Sequence, residues 1–106
     1  MKEKPNLSYI NQLSGGDKIF EGKLLSVIKR ELPEEAATYR TSIKNKDFTE
    51  AAVNVHKLKH KISILGLEES YLFAENYEEE LREDKNVSQS EFEEILHAMS
   101  AFIEEF

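Results

Sequence analysis

The spacing of apolar residues between Phe20 and Ile43 limits this chain most. Phe20, Leu24, Ile28, Leu32, Ala36, Tyr39 and Ile43 follow one another in steps of three and four. That spacing lays one stripe along a helix; a half-buried strand would repeat every second residue. No run of alternating β-branched residues appears elsewhere, and only four glycines and two prolines punctuate the 106 residues. Charged and long-chain helix formers fill the rest. The chain is expected to be all-α.

Capping signals divide it. A short first helix is expected over Leu7 to Leu13, stopped by Gly15 and Gly16. Asp17 is expected to cap the second helix, the one bearing the stripe. Pro33 falls inside that stripe and either kinks one long helix or opens a new segment with Glu34 and Glu35 in its first turn. Asp47 with Glu50 reads as a capping box for a third helix from about Phe48 to Leu65, with Gly66 as its C-terminal cap. A fourth helix is expected from Glu68 to about Glu83, with Leu67, Tyr71, Ala74, Tyr77 and Leu81 on one side. Ser88 and Glu91 form a second candidate capping box. The last helix is expected to bury Phe92, Ile95, Leu96, Met99, Ile103 and Phe106. Short connections make neighbours antiparallel, so an up-down four-helix bundle with a short N-terminal helix follows. No repeat or linker divides the chain, and residues 1–106 are expected to form one domain.

Composition excludes several functions. Without cysteine there are no disulfides and no thiolate metal sites. No apolar run approaches the length of a membrane span, and the opening residues lack the apolar core of a signal peptide. A cytoplasmic location is expected. The net charge of −7 disfavours nucleic acid as a partner. That charge is unevenly placed. Arg40 to Lys61 holds six basic and two acidic residues, whereas Ile62 to Phe106 holds two basic and thirteen acidic ones. The basic segment is either a solvated helix face or a place to receive one anionic group.

That segment contains His56 and His60, set among Lys57, Lys59 and Lys61. On a helix, His56 falls roughly 140° from the stripe formed by Ala51, Val55, Leu58, Ile62 and Leu65. His56, Lys59, His60 and Ser63 therefore share an exposed or half-exposed strip. A core histidine is disfavoured, and three readings remain. His56 is a surface residue without a role; or it forms a metal pair with His60, a spacing that suits zinc but is opposed by three lysines; or its imidazole does phosphoryl chemistry. For the third, a partly neutral ring offers a nucleophilic nitrogen, and Lys59 one turn on can offset phosphoryl charge. Tyr71, Phe73, Tyr77, Phe92 and Phe102 stand at helical spacing and read as core or, in part, as docking surface, and His97 has no motif around it.

The stretch "HKLKHKISILGL" resembles the signature of histidine phosphotransfer (HPt) domains, the four-helix intermediates of phosphorelays. His56, Leu58, Lys59 and Gly66 fit that signature. The upstream "LSGGDKIFEGKLLSVIKRELPE" is also similar to the family's Leu-x-Gly-Gly-Asp turn, apolar-striped helix and proline. The resemblance covers roughly Leu7 to Phe106. It implies a phosphocarrier rather than an enzyme, with His56 as phosphoacceptor on its outer ring nitrogen and Lys59 steadying the phosphoryl group. It implies response-regulator receiver domains or a hybrid sensor histidine kinase as partners. No cofactor is implied on this chain, the Mg²⁺ belonging to the receiver's acidic pocket. The partner-facing surface is expected around Lys57, His60, Lys61 and Ser63, on a monomer. Where the family usually keeps a small residue after the lysine, this chain has His60, which bears on docking or adds a second donor to the phosphate. The alternative is a docking module of the same fold that accepts no phosphate. Finally, His56 lies eleven residues before Leu67 and Glu78 eleven after it. Across an antiparallel turn the two are neighbours, so the Glu78 carboxylate is expected to accept a hydrogen bond from His56 Nδ1.

Overall fold

In the computed structural model, which describes residues 3–106, five helices follow in order. They are α1 (Ser8–Ser14), α2 (Lys18–Lys44), α3 (Phe48–Ile64), α4 (Glu68–Arg82) and α5 (Gln89–Ile103). The described residues contain no strand.

α1 starts one residue later than expected, because the Asn6 side-chain oxygen accepts from the Ser8 N–H at 3.0 Å and holds the chain just ahead of it. Gly15, at φ 57°, ends it. Asp17 then caps α2, accepting from the N–H groups of Ile19 and Phe20 at 3.0 and 3.2 Å. Pro33 lies within α2, which runs through it as one helix rather than restarting.

The buried face of α2 is Leu25, Ile28, Leu32, Ala36, Tyr39 and Ser42. Leu24 and Ile43 sit at its margin, and Phe20 is 44% exposed. A step of four overshoots one turn by about 40°. Successive steps of four from Phe20 to Ala36 therefore drift, and the buried face departs from the apolar spacing at both ends.

Asp47 accepts from the Glu50 N–H at 3.1 Å and opens α3. The end of α3 is a Schellman motif: Gly66 N–H donates to Ser63 O at 3.0 Å and Leu67 N–H to Ile62 O at 3.2 Å. Gly66 takes φ 76°, where a side chain is strained. α4 follows immediately. Its N-terminus is capped from outside by Glu3, whose carboxylate accepts from the N–H groups of Glu69 and Ser70, each at 2.9 Å.

The start of α5 differs from the expected capping box. Ser88 makes no capping bond with its side chain. Its hydroxyl donates instead to Glu80 at 2.9 Å, and the other Glu80 oxygen accepts from the N–H groups of Val87 and Ser88 at 2.6 and 3.0 Å. A carboxylate on α4 thus outcompetes the local cap. Phe92, Ile95, Leu96, Met99 and Ile103 are buried as expected, whereas Phe106 lies past the end of α5 and is 47% exposed.

Pairings along the helices show how they lie. Between α2 and α3, Ser42 meets Asn54 at 2.7 Å while Glu35, earlier on α2, meets Lys61, later on α3. The two helices therefore run in opposite directions. Between α2 and α5, Arg40 forks onto Glu93, and past the end of α5 the Phe106 main-chain oxygen accepts from Lys29. The centre is aromatic. Tyr39 packs edge-on against Tyr77 and Phe92, and the Tyr39 and Tyr77 hydroxyls are 2.7 Å apart. Tyr77 donates onward to Asn86, so the buried hydroxyls are paired. Burial pushes the Tyr77 hydroxyl up to about 12, so it stays protonated. No helix among the described residues is long and apolar enough to cross a membrane.

Candidate functional site

α3 packs with Val55, Leu58 and Ile62 fully buried, and this fixes its rotation. His56, next to Val55, consequently points outward with 53% of its side chain exposed. The Schellman turn at Gly66 brings α4 back alongside α3, and Glu78 reaches His56. One Glu78 oxygen, Oε1, lies 3.2 Å from His56 Nδ1. The same oxygen lies 3.1 Å from Lys59 Nζ. The other carboxylate oxygen pairs with Arg82, one turn further along α4.

Glu78 is buried, with 5% of its side chain exposed. Burial pushes its carboxyl up, but bonds from Lys59, Arg82 and His56 outweigh burial and hold it below the usual 4.5. It is an anion with three positive or donating neighbours. Such an arrangement orients the imidazole. With Nδ1 turned to the carboxylate, Nε2 is the ring nitrogen left facing outward.

Lys59 is drawn inward more than its position on the strip suggested. Only 12% of its side chain is exposed, and its ammonium stands 5.5 Å from the centre of the Tyr71 ring. His60 is exposed, and its ring meets the His56 ring edge to face with centroids 5.5 Å apart. Lys57 and Ser63 are exposed on either side. Lys61 departs from expectation. Its ammonium is 3.0 Å from Glu31 and 3.1 Å from Glu35, and its side chain is 11% exposed. Two residues beyond Lys59 on a helix, it turns onto α2 and away from the His56 side of α3. Burial lowers the Lys61 ammonium's affinity for its proton, and the two glutamates more than restore it.

Among the described residues, no group of three or more His, Cys, Asp or Glu side chains is placed to hold a metal ion. The sequence model of the Hpt domain matches residues 23–105. The chain belongs to the Hpt domain family. The match takes in nearly all of α2 and the whole of α3, α4 and α5. No curated protein and no solved structure matches the chain.

In this Hpt domain the structure brings together His56, Lys59, His60 and Glu78 and separates Lys61 from them. Arg82 was missed by sequence reasoning. Its signal was its spacing, four residues after Glu78 on the same helix face. Glu3 and Asn6, which brace the turn between α3 and α4, carried no local signal, because they reach it from far away along the chain.

Proposed function

We propose that this Hpt domain is a phosphorelay carrier whose phosphoacceptor is His56. The observation that supports it best is the contact between Glu78 Oε1 and Nδ1 of an exposed imidazole. With Nδ1 protonated and donating to Glu78, Nε2 holds a free lone pair. It attacks the phosphorus of a receiver's phospho-aspartate. The N–P bond forms, the P–O bond breaks, and its electrons leave on the aspartate carboxylate. The ring gains a positive charge, which the buried Glu78 anion stabilises. Delivery to a second receiver runs the same steps backward. A kinase phosphohistidine is an equivalent donor. Lys59 steadies the phosphoryl oxygens by exchanging Glu78 for them.

The partners are receiver domains or a hybrid histidine kinase, and Lys57, His60 and Ser63 border the acceptor where they dock. We assign no cofactor to the chain and place the Mg²⁺ on the receiver. In the same reading residues 1–106 form one monomeric, cytoplasmic domain, an up-down bundle of α2 to α5 preceded by α1. It acts as a carrier without turnover of its own.

Incubation with a phosphorylated receiver and Mg²⁺, followed by intact mass, tests this. An acid-labile gain of one phosphoryl group, absent in His56→Gln, is expected. No gain from any receiver or kinase of the source organism would instead leave a receiver-docking module, the reading favoured by His60 in the place of a small residue.

A further inference from the structure

His60 stands beside the acceptor with no bond of its own among the described residues. Its ring plane is at 88° to that of His56, and both side chains are exposed. Glu78 occupies Nδ1 of His56, so an incoming phosphoryl group is added on the open side, at Nε2. The lysines and the arginine nearby stand away from the His60 ring in the unphosphorylated chain. Lys59 and Arg82 are both held by Glu78 on the α4 side. Lys57 lies on the α2 side, lining a cavity of 170 Å³ with Glu34, Glu35, Thr38 and Asn54. A phosphoryl dianion on His56 therefore meets, beside the Lys59 that turns to it, a donor already packed against the acceptor ring: His60. An imidazole carries one N–H when neutral and two when protonated, so it can donate in either state.

We propose that His60 is a second phosphoryl-binding group: its ring donates a hydrogen bond to an oxygen of the phosphoryl group on His56. This deepens the carrier reading and rests on His56 as acceptor. No bond is made or broken at His60, and the covalent change stays at His56 Nε2. The consequence is thermodynamic. A bulky ring that merely shapes docking changes transfer rates. A ring that binds the product also changes the equilibrium between phospho-aspartate and phospho-His56.

Phosphoramidate, a small-molecule donor, phosphorylates exposed histidine with release of ammonia and needs no receiver. The full chain is treated with it, and ³¹P–¹⁵N spectra identify the modified nitrogen. The titration midpoint of the His60 ring is then followed by NMR with and without the phosphoryl group. Lys57, Lys59, Glu78 and Arg82 surround the site in both forms, so the difference reports the phosphoryl group. The midpoint is expected to rise by about 1 unit or more, as for a charged group gaining an opposite charge within hydrogen-bond reach. In exchange with a receiver, His60→Phe is expected to move the equilibrium about fivefold toward phospho-aspartate, the factor corresponding to one net hydrogen bond. His60→Gln, which keeps an N–H donor, is expected to stay near wild type.

An unmoved His60 midpoint, or a label on His60 in place of His56, overturns the proposal. So does an unchanged equilibrium in His60→Phe. If no receiver exchanges phosphate, the carrier reading falls, and the midpoint measured with phosphoramidate still decides the part of His60.

Discussion

Lys59 and Glu78 form an ion pair at 3.1 Å that bridges α3 and α4 beside His56. The oxygen that receives the lysine is the one that receives the imidazole. One carboxylate therefore sets both the direction of the ring and the resting place of the cation.

Glu78→Ala removes that carboxylate. Phosphoryl acceptance by His56 is expected to slow about tenfold or more, since a hydrogen bond to a charged group contributes roughly 1.5–3 kcal/mol. Glu78→Gln retains a neutral acceptor for Nδ1 and is expected to fall between. Stopped-flow transfer from a phosphorylated receiver, with circular dichroism to verify the fold, measures this. Wild-type transfer in Glu78→Ala would remove the orienting role.

Acid should weaken the fold through the same group. Glu78 is held below its ordinary value of 4.5, and Glu31, bonded to Lys61, is shifted in the same direction. A carboxylate lowered in the folded state contributes stability in full above its unfolded value. That contribution is lost as pH falls through the folded value. Urea midpoints are expected to hold steady down to about pH 5 and to decline between about pH 5 and 3. The decline should be shallower in Glu78→Gln. Midpoints indifferent to pH across that window would contradict the charge arrangement around Glu78.

Lys61→Ala tests the separation of the lysines. Loss of its bonds to Glu31 and Glu35 is expected to lower the urea midpoint, because it removes the cation that both carboxylates hold. Phosphotransfer at a temperature where the variant is folded should match wild type. A large drop in receiver affinity with unchanged stability would return Lys61 to the docking surface.

Gly66→Ala addresses the turn. Gly66 has a φ of 76°, and a Cβ there would come within 2.5 Å of the Asn6 side-chain oxygen. That oxygen is already bonded to the Ser8 N–H, so it does not move aside freely. A loss of about 1–2 kcal/mol is expected from the left-handed backbone alone. Thermal unfolding of the single variant reads it.

Much of the arrangement was legible because it depends on local chemistry. Asp17, Asp47 and Gly66 act within a few residues of their own positions, and the helix ends followed them. The outward direction of His56 followed from the apolar residues on its own helix, and the neighbouring place of Glu78 from equal distances about Leu67. What escaped was decided by other helices. Ser88 and Glu91 look like a capping box until Glu80, from α4, takes the serine. Lys61 looks like one of the basic residues gathered around His56 until two glutamates of α2 take its ammonium. Glu3 caps a helix 66 residues away along the chain. In each case a long-range partner won over the local pattern.

The relation between His56 and Glu78 also has a bearing on how such a chain can change. The two are 22 residues apart, and the Gly66 turn sits between them. A single residue inserted between the turn and Glu78 rotates the rest of α4 by about 100° and takes the carboxylate off the imidazole. A substitution in the same stretch leaves the register intact. The site is thus guarded by a count of residues more than by their identity. Chains that keep this chemistry should tolerate many replacements between these positions and almost no insertions or deletions.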